Sequence, residues 1–326
     1  IEELSTDISG QTAAVELPAP PLEYSMEPSE FQPYSEYTIQ VNASGYRPIN
    51  ISGISVLPDK TSIQNVRMET ATVENPPERN IVITANTLYG NFPPKIPEDE
   101  IKPMNESGEI VLSRVVIPEY VIVHDGPPSD SSANDYYVRY RDYIKNVASS
   151  EIYPTWPEQA IRANVYAQMS YVLNRVFTEW YRAQGYDFDI TNSTRYDQSF
   201  VPGRDIFENI STIVDDMIGT YLTRGDSIEP LFTQYCNGTT VTCPGGLSQW
   251  GTVPLAEQGL SAEQILQSFY GSDINFVTGA PLSPNLGGSF PGVTLRLGDF
   301  SEDVRTIQTR LNRISTNFPN IPKIYP

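Results

Sequence analysis

The chemistry open to this chain is narrowed first by what it lacks. It carries one histidine, His124, and two cysteines, Cys236 and Cys243. A Ser-His-Asp or Cys-His nucleophile has to use His124, and a multi-histidine zinc site is out of reach. His124 follows a Val/Ile run and precedes Asp125 and Gly126, a strand-end place that suits a structural role. The cysteines are spaced for a small-loop disulfide in an exported protein, and equally for two buried thiols. Carboxylates are plentiful. Asp187, Asp189 and Asp197 read as acid/base partners or cation ligands, or as the scatter that any acidic chain shows. Glu151 differs in its company. Val147, Ile152, Tyr153 and Trp156 lie near it, Lys145 is six residues before it, and no Lys or Arg falls in the five after it. Such neighbours are consistent with a carboxyl whose pKa burial raises. The bland alternative is a solvated or capping glutamate.

Periodicity predicts the elements that position these groups. Tyr37, Ile39 and Val41 alternate with polar residues as in a half-buried strand; Ile49, Ile51, Ile54 and Val56 predict the next, and Ile63, Val66 and Met68 another. Prolines 76, 77, 93, 94, 97 and 103 then mark a linker, or an extended segment lying on the next domain. Residues 109–126 give two Val/Ile runs around Pro118. The longest helix signal opens at Thr155, with capping-box spacing to Glu158. It carries one apolar stripe: Ile161, Val165, Met169, Val172, Leu173, Val176, Phe177 and Trp180. A second helix is predicted near 204–223, and a short third opened by Ser261 and Gln264. Residues 235–251, rich in Cys, Gly and Thr, predict turns and short strands. From about 294 a further helix carries Val304, Ile307, Leu311 and Ile314, with Ser301 as its cap.

Twenty-one Lys and Arg against 40 Asp and Glu leave a formal charge of −19 across 326 residues. That argues against duplex DNA or RNA as a partner, because phosphate binding rests on clustered cations, and disfavours an anionic membrane surface. No run approaches the roughly 18 apolar residues of a membrane helix. A carbohydrate polymer, held by hydrogen bonds and aromatic faces, fits better, and 20 Tyr, 12 Phe and three Trp are compatible with it. The start at Ile1, without Met or leader, reads as a processed or truncated form and adds an activating protease to the expected partners.

Three segments in order resemble the SpoIID/LytB family: YIKNVASSEIYPTWPEQAIRANVYAQMSYVL (143–173), FDITNSTRYDQSF (188–200) and GGLSQWGTVPLAEQGLSAEQILQSFYG (245–271). TDISGQT (6–12) and YTIQVNASGYRP (37–48) resemble the carboxypeptidase regulatory-like sandwich, with its first strand missing. LRLGDFSEDVRTIQTRLNRI (295–314) resembles the first helix of the peptidoglycan-binding type 1 domain, cut short. This order is similar to that of the clostridial spore cortex-lytic enzymes.

The resemblance implies a multidomain α+β protein. A small β-sandwich would span 1–70, a Pro-rich linker 71–109, a catalytic α+β domain with a long helix 110–290, and a truncated peptidoglycan-binding segment 291–326. It implies a lytic transglycosylase cutting between N-acetylmuramic acid and N-acetylglucosamine, with peptidoglycan glycan strands as partner, in the spore cortex, coat or cell wall. The muramic 6-hydroxyl attacks its own anomeric carbon, so one carboxyl is enough: it protonates the leaving oxygen, then takes back the hydroxyl proton. Ordinary glycosidases need two carboxyls. The implied acid/base falls on Glu151, and substrate contacts on Gln198, Ser248, Gln249, Trp250 and Tyr153. In this resemblance 143–173 opens as a short strand ending at Glu151. The chain departs from the family at the Cys and His that bind zinc in some members, at the His often found before Ser-Gln-Trp-Gly, and at an Arg that aligns with Met169. No metal or cofactor is expected. The competing expectations are a non-catalytic wall-binding protein and a hydrolase pairing Glu151 with Asp189.

Overall fold

The structure is a computed structural model that describes residues 2–73, 76–100 and 115–280. The segment expected to bind the wall at 291–326, the linker beyond residue 100 and the start of the first Val/Ile run, 109–114, lie outside the described residues.

Strands β1 (Ser35–Val41) and β2 (Ile49–Val56) pair antiparallel from Ser35↔Val56 to Val41↔Ile49. A bulge at Tyr37/Thr38 faces Gly53, whose φ of +85° and close approach to the Ile83 carbonyl leave no room for a Cβ. After β3 (Ser62–Ile63), β4 (Arg79–Val82) joins the other edge of β2 in parallel. The result is a single three-stranded sheet with a small core of Ile49, Ile51, Ile54, Ile83 and Val201. A two-sheet sandwich was expected here. Instead, Val201 from the following region closes the core, and a strand comes from the Pro-rich stretch.

The remaining described residues form a mixed α and β body. β5 (Tyr120–His124) pairs antiparallel with β6 (Asp135–Arg139), which runs into α1 (Tyr140–Glu151) and then α2 (Glu158–Phe177). β7 (Ile190–Thr191) adds to β5 in parallel, and β8 (Ile206–Phe207) pairs with β3, joining the small sheet to the main body. α3 (Glu208–Met217), β9 (Tyr221–Arg224), β10 (Tyr235–Cys236), β11 (Leu247–Ser248), α4 (Thr252–Glu257), α5 (Ala262–Tyr270) and β12 (Ile274–Val277) complete the order. No described helix is long and apolar enough to cross a membrane.

Three expectations are corrected. The segment before Glu151 is a 12-residue helix, not a strand. Tyr140, Tyr143, Ile144, Val147 and Ala148 are all buried, and their three- and four-residue spacing defines one helical face that ends on Glu151 itself. Thr155 does not cap the long helix: α2 starts after Pro157, and the Thr155 hydroxyl donates to Ser25 at 2.8 Å. The second helix is shorter than 204–223, because Ile206–Phe207 and Tyr221–Arg224 find strand partners and Gly219 breaks the helical run. The box at Ser261 and Gln264 forms as expected, each side chain bonding the other's backbone.

Helix α2 is the centre of the body. It carries more than one apolar stripe: Asn164, Gln168, Ser170, Asn174 and Arg175 on its other sides are buried as well. Most buried polar groups in folded proteins are hydrogen-bonded, and several of these bonds build the site.

Candidate functional site

Glu151 ends α1 on its buried face and is 2 % exposed. The Ser199 amide donates to Oε1 at 2.7 Å. The Tyr235 hydroxyl and the Gln168 amide donate to Oε2 at 2.7 and 3.0 Å. Burial pushes this carboxyl above its ordinary value, opposed by the charge of Lys95 and by the three donors.

A second layer fixes the direction of the Tyr235 bond. Gln198 donates from Nε2 to the Gln168 carbonyl at 3.1 Å and to the Tyr235 oxygen at 2.9 Å, while its Oε1 accepts from Tyr143 at 3.0 Å. A backbone carbonyl only accepts, so it sets the orientation of the Gln198 amide. Tyr235 receives a proton from Gln198 and sends its own to Glu151.

Residues 86–100 form a strap across this carboxyl. The Thr87 amide donates to Ser150 O at 3.0 Å, and the Asn86 amide group reaches Ser149 O and Ile152 O. Further along, Glu98 takes a two-pronged grip from Arg175 at 2.8 and 2.6 Å, and Glu100 another from Arg224 at 2.6 and 3.0 Å. Between these anchors Lys95 turns inward. Its ammonium donates to Asp197 O at 2.6 Å and lies 4.5 and 4.8 Å from the Tyr171 and Tyr235 ring centres. Burial of the ammonium pulls its pKa down to about 8, and the charges of Glu151 and Asp197 pull the other way. Phe92, Pro93 and Lys95 face Glu151, Tyr235, Asn237 and Gln249 across a cavity of about 50 Å³. That is room for a few waters, far less than a glycan needs.

Of the residues singled out in sequence, Glu151, Asp197, Cys236 and Gln249 line this cavity. Gln249 also donates to Glu151 O at 3.3 Å. Gln198 reaches the carboxyl only through Tyr235. Ser248 accepts from the Gly251 amide and shapes a turn. Trp250 and Tyr153 are 7 % and 2 % exposed and pack with Trp156 in an aromatic cluster, so they form core, not a sugar platform. Asp189 is bound by the Ile122 amide and Arg182, and Asp197 by Arg175, Tyr181 and Thr191. Neither bonds Glu151. His124 lies 2.7 Å from Asp135 and stacks on Phe188, a structural role at its strand end. Cys236 and Cys243 are joined in a disulfide whose loop forms part of the cavity wall. Among the described residues, no group of three His, Cys, Asp or Glu side chains is placed to hold a metal ion.

Sequence reading missed Lys95, Gln168 and Tyr235. Lys95 sits in a stretch that reads as linker, and Gln168 is a polar residue at the edge of the apolar stripe, seven after Ile161 and four before Val172. The fold and site define a mixed α and β protein in which the buried carboxyl of Glu151 lies under a charged strap. No protein-family model matches the chain, and no curated protein matches its sequence.

Proposed function

We propose that the chain is a peptidoglycan lytic transglycosylase of the SpoIID/LytB type, acting outside the cytoplasm on spore cortex or cell wall, with Glu151 as its single acid/base. The observation that carries this is the convergence on Glu151 of all three segments that resemble the family. The first supplies the acid and Gln168, the second the Ser199 amide and Gln198, and the third Gln249. A buried carboxyl with a raised pKa stays protonated nearer to neutral pH, as a general acid must. The carboxylate left after transfer has three donors to hold it, and it then takes the proton of the attacking 6-hydroxyl.

In this reading, 291–326 begin a wall-binding domain. The strap has to swing out before a glycan strand reaches Glu151, which gives an activating protease its purpose. No metal or cofactor enters the chemistry. The competing reading, a non-catalytic wall-binding protein, is favoured by one observation: Glu151 is closed off in a cavity too small for a sugar.

Mass spectrometry of purified cortex after digestion separates the readings. Anhydro-muramic ends support transglycosylation, reducing ends mean hydrolysis, and retention on peptidoglycan without product leaves wall binding.

A further inference from the structure

Gln168 presents a mismatch that the static bonding does not use. Its Nε2 donates to Glu151, but its Oε1 is buried without a hydrogen-bond partner. It is one of seven such side-chain atoms among the described residues, and the one that belongs to a residue bonded to Glu151.

The reason lies in what Glu151 has to do. An acid/base alternates between carboxylate and carboxylic acid, and the acid form needs an acceptor for its proton. The bonded shell offers few. The Ser199 amide only donates. Tyr235 cannot reverse without stranding its own proton, because Gln198 already donates to it and is locked by the Gln168 carbonyl. The other charged or titratable groups around the carboxyl are Lys95 from the strap, Tyr143 from α1 and Asp197 from the 196–199 loop. Lys95 as an ammonium only donates, Tyr143 is spent on Gln198, and Asp197 is filled by Arg175, Tyr181 and Thr191.

Among the side chains bonded to the carboxyl, only the Gln168 amide can change role by turning over. From this geometry we infer that Gln168 is a positioning residue whose side-chain amide inverts with the protonation of Glu151, donating to the carboxylate and accepting from the acid. In either orientation one end of the amide is bonded and the other unpaired, so the turn loses no hydrogen bond. Gln168 never touches the glycan. It keeps the carboxyl in one place while the proton leaves for the glycosidic oxygen and returns from the 6-hydroxyl.

The inference rests on Glu151 being the acid/base, and its test reads the amide directly. In the full chain, the Gln168 side-chain NH₂ resonances are followed by NMR from pH 4 to 9, beside the carboxyl carbon of Glu151, assigned with Gln168→Met and Glu151→Gln. The expected result is that the amide signals move with the same midpoint as the carboxyl. In Gln168→Met that midpoint should stay within about half a pH unit, because both forms lose a partner. Still amide signals, or a midpoint raised by about one pH unit or more as for a fixed donor, overturn the inference. The amide measurement needs only the wild-type chain, so a variant that fails to fold does not block it. Release of anhydro ends by wild type and Glu151→Gln is measured separately. Equal release removes the enzymatic reading and leaves the amide result to stand or fall alone.

Discussion

Arg175 and Glu98 tie the long helix to the strap through two bonds of 2.8 and 2.6 Å, and the Arg175 side chain is wholly buried. The same guanidinium holds Asp197 at 2.7 Å, so one arginine on α2 fixes both the strap and the loop beneath it. Replacing Glu98 with alanine leaves Arg175 paired to Asp197 and loosens the strap alone. The expected cost is about 2 kcal/mol of stability, with faster amide hydrogen exchange over residues 92–100. On the enzymatic account, release from cortex also increases. Unchanged exchange would show that the grip does not hold the strap.

Lys95 makes strap closure depend on pH. Its folded pKa of about 8 lies below the ordinary 10.5, so between these values the unfolded chain holds a proton that the folded chain has lost. Stability from this group therefore rises with pH across that window, and the full penalty applies below 8. Lys95→Met should stabilise the fold at pH 7 by about 1 kcal/mol after the lost bond to Asp197 is discounted, seen as a higher thermal midpoint. The gain should shrink by pH 10.

Glu151 acts with the opposite sign. Its folded pKa is raised, so the folded chain holds a proton that the unfolded one releases, and stability falls as pH climbs above the ordinary 4.5. Denaturant midpoints measured from pH 4 to 7 should decline in wild type and flatten in Glu151→Gln.

Tyr235→Phe keeps the ring beside Lys95 and removes the hydroxyl that links Gln198 to Glu151. The carboxylate loses a donor, so its titration midpoint should move upward. Stability should fall by about 1 kcal/mol and turnover roughly tenfold. Carboxyl NMR and thermal unfolding measure the first two.

The disulfide closes a short loop in the cavity wall, with the two cysteines seven positions apart. Replacing both with serine should cost about 2 kcal/mol by the loop-entropy account. It should loosen Asn237 and Val241 while leaving α2 protected, which hydrogen exchange resolves.

Much of the fold was legible because burial imposes periodicity. The core side of α2, the box opening α5 and strands β1 and β2 follow directly from spacing. The face of α1 was legible in the same way, at Tyr140, Tyr143, Ile144, Val147 and Ala148, yet the family likeness suggested a strand and obscured it. The site was half legible. Glu151 stands out by its apolar neighbours, but Lys95, Gln168 and Tyr235 reach it from segments 56 residues before and 17 and 84 residues after it. Nothing local marks such partners.

The central claim is tested most directly on cortex with the strap loosened in both proteins compared. Purified peptidoglycan is digested with Glu98→Ala and with the double variant Glu98→Ala, Glu151→Gln, and 1,6-anhydro-muramic ends are counted over time. The account predicts steady release by the first and at least about 100-fold less by the second. Equal release by both, or none by either while both still bind the wall, would contradict it.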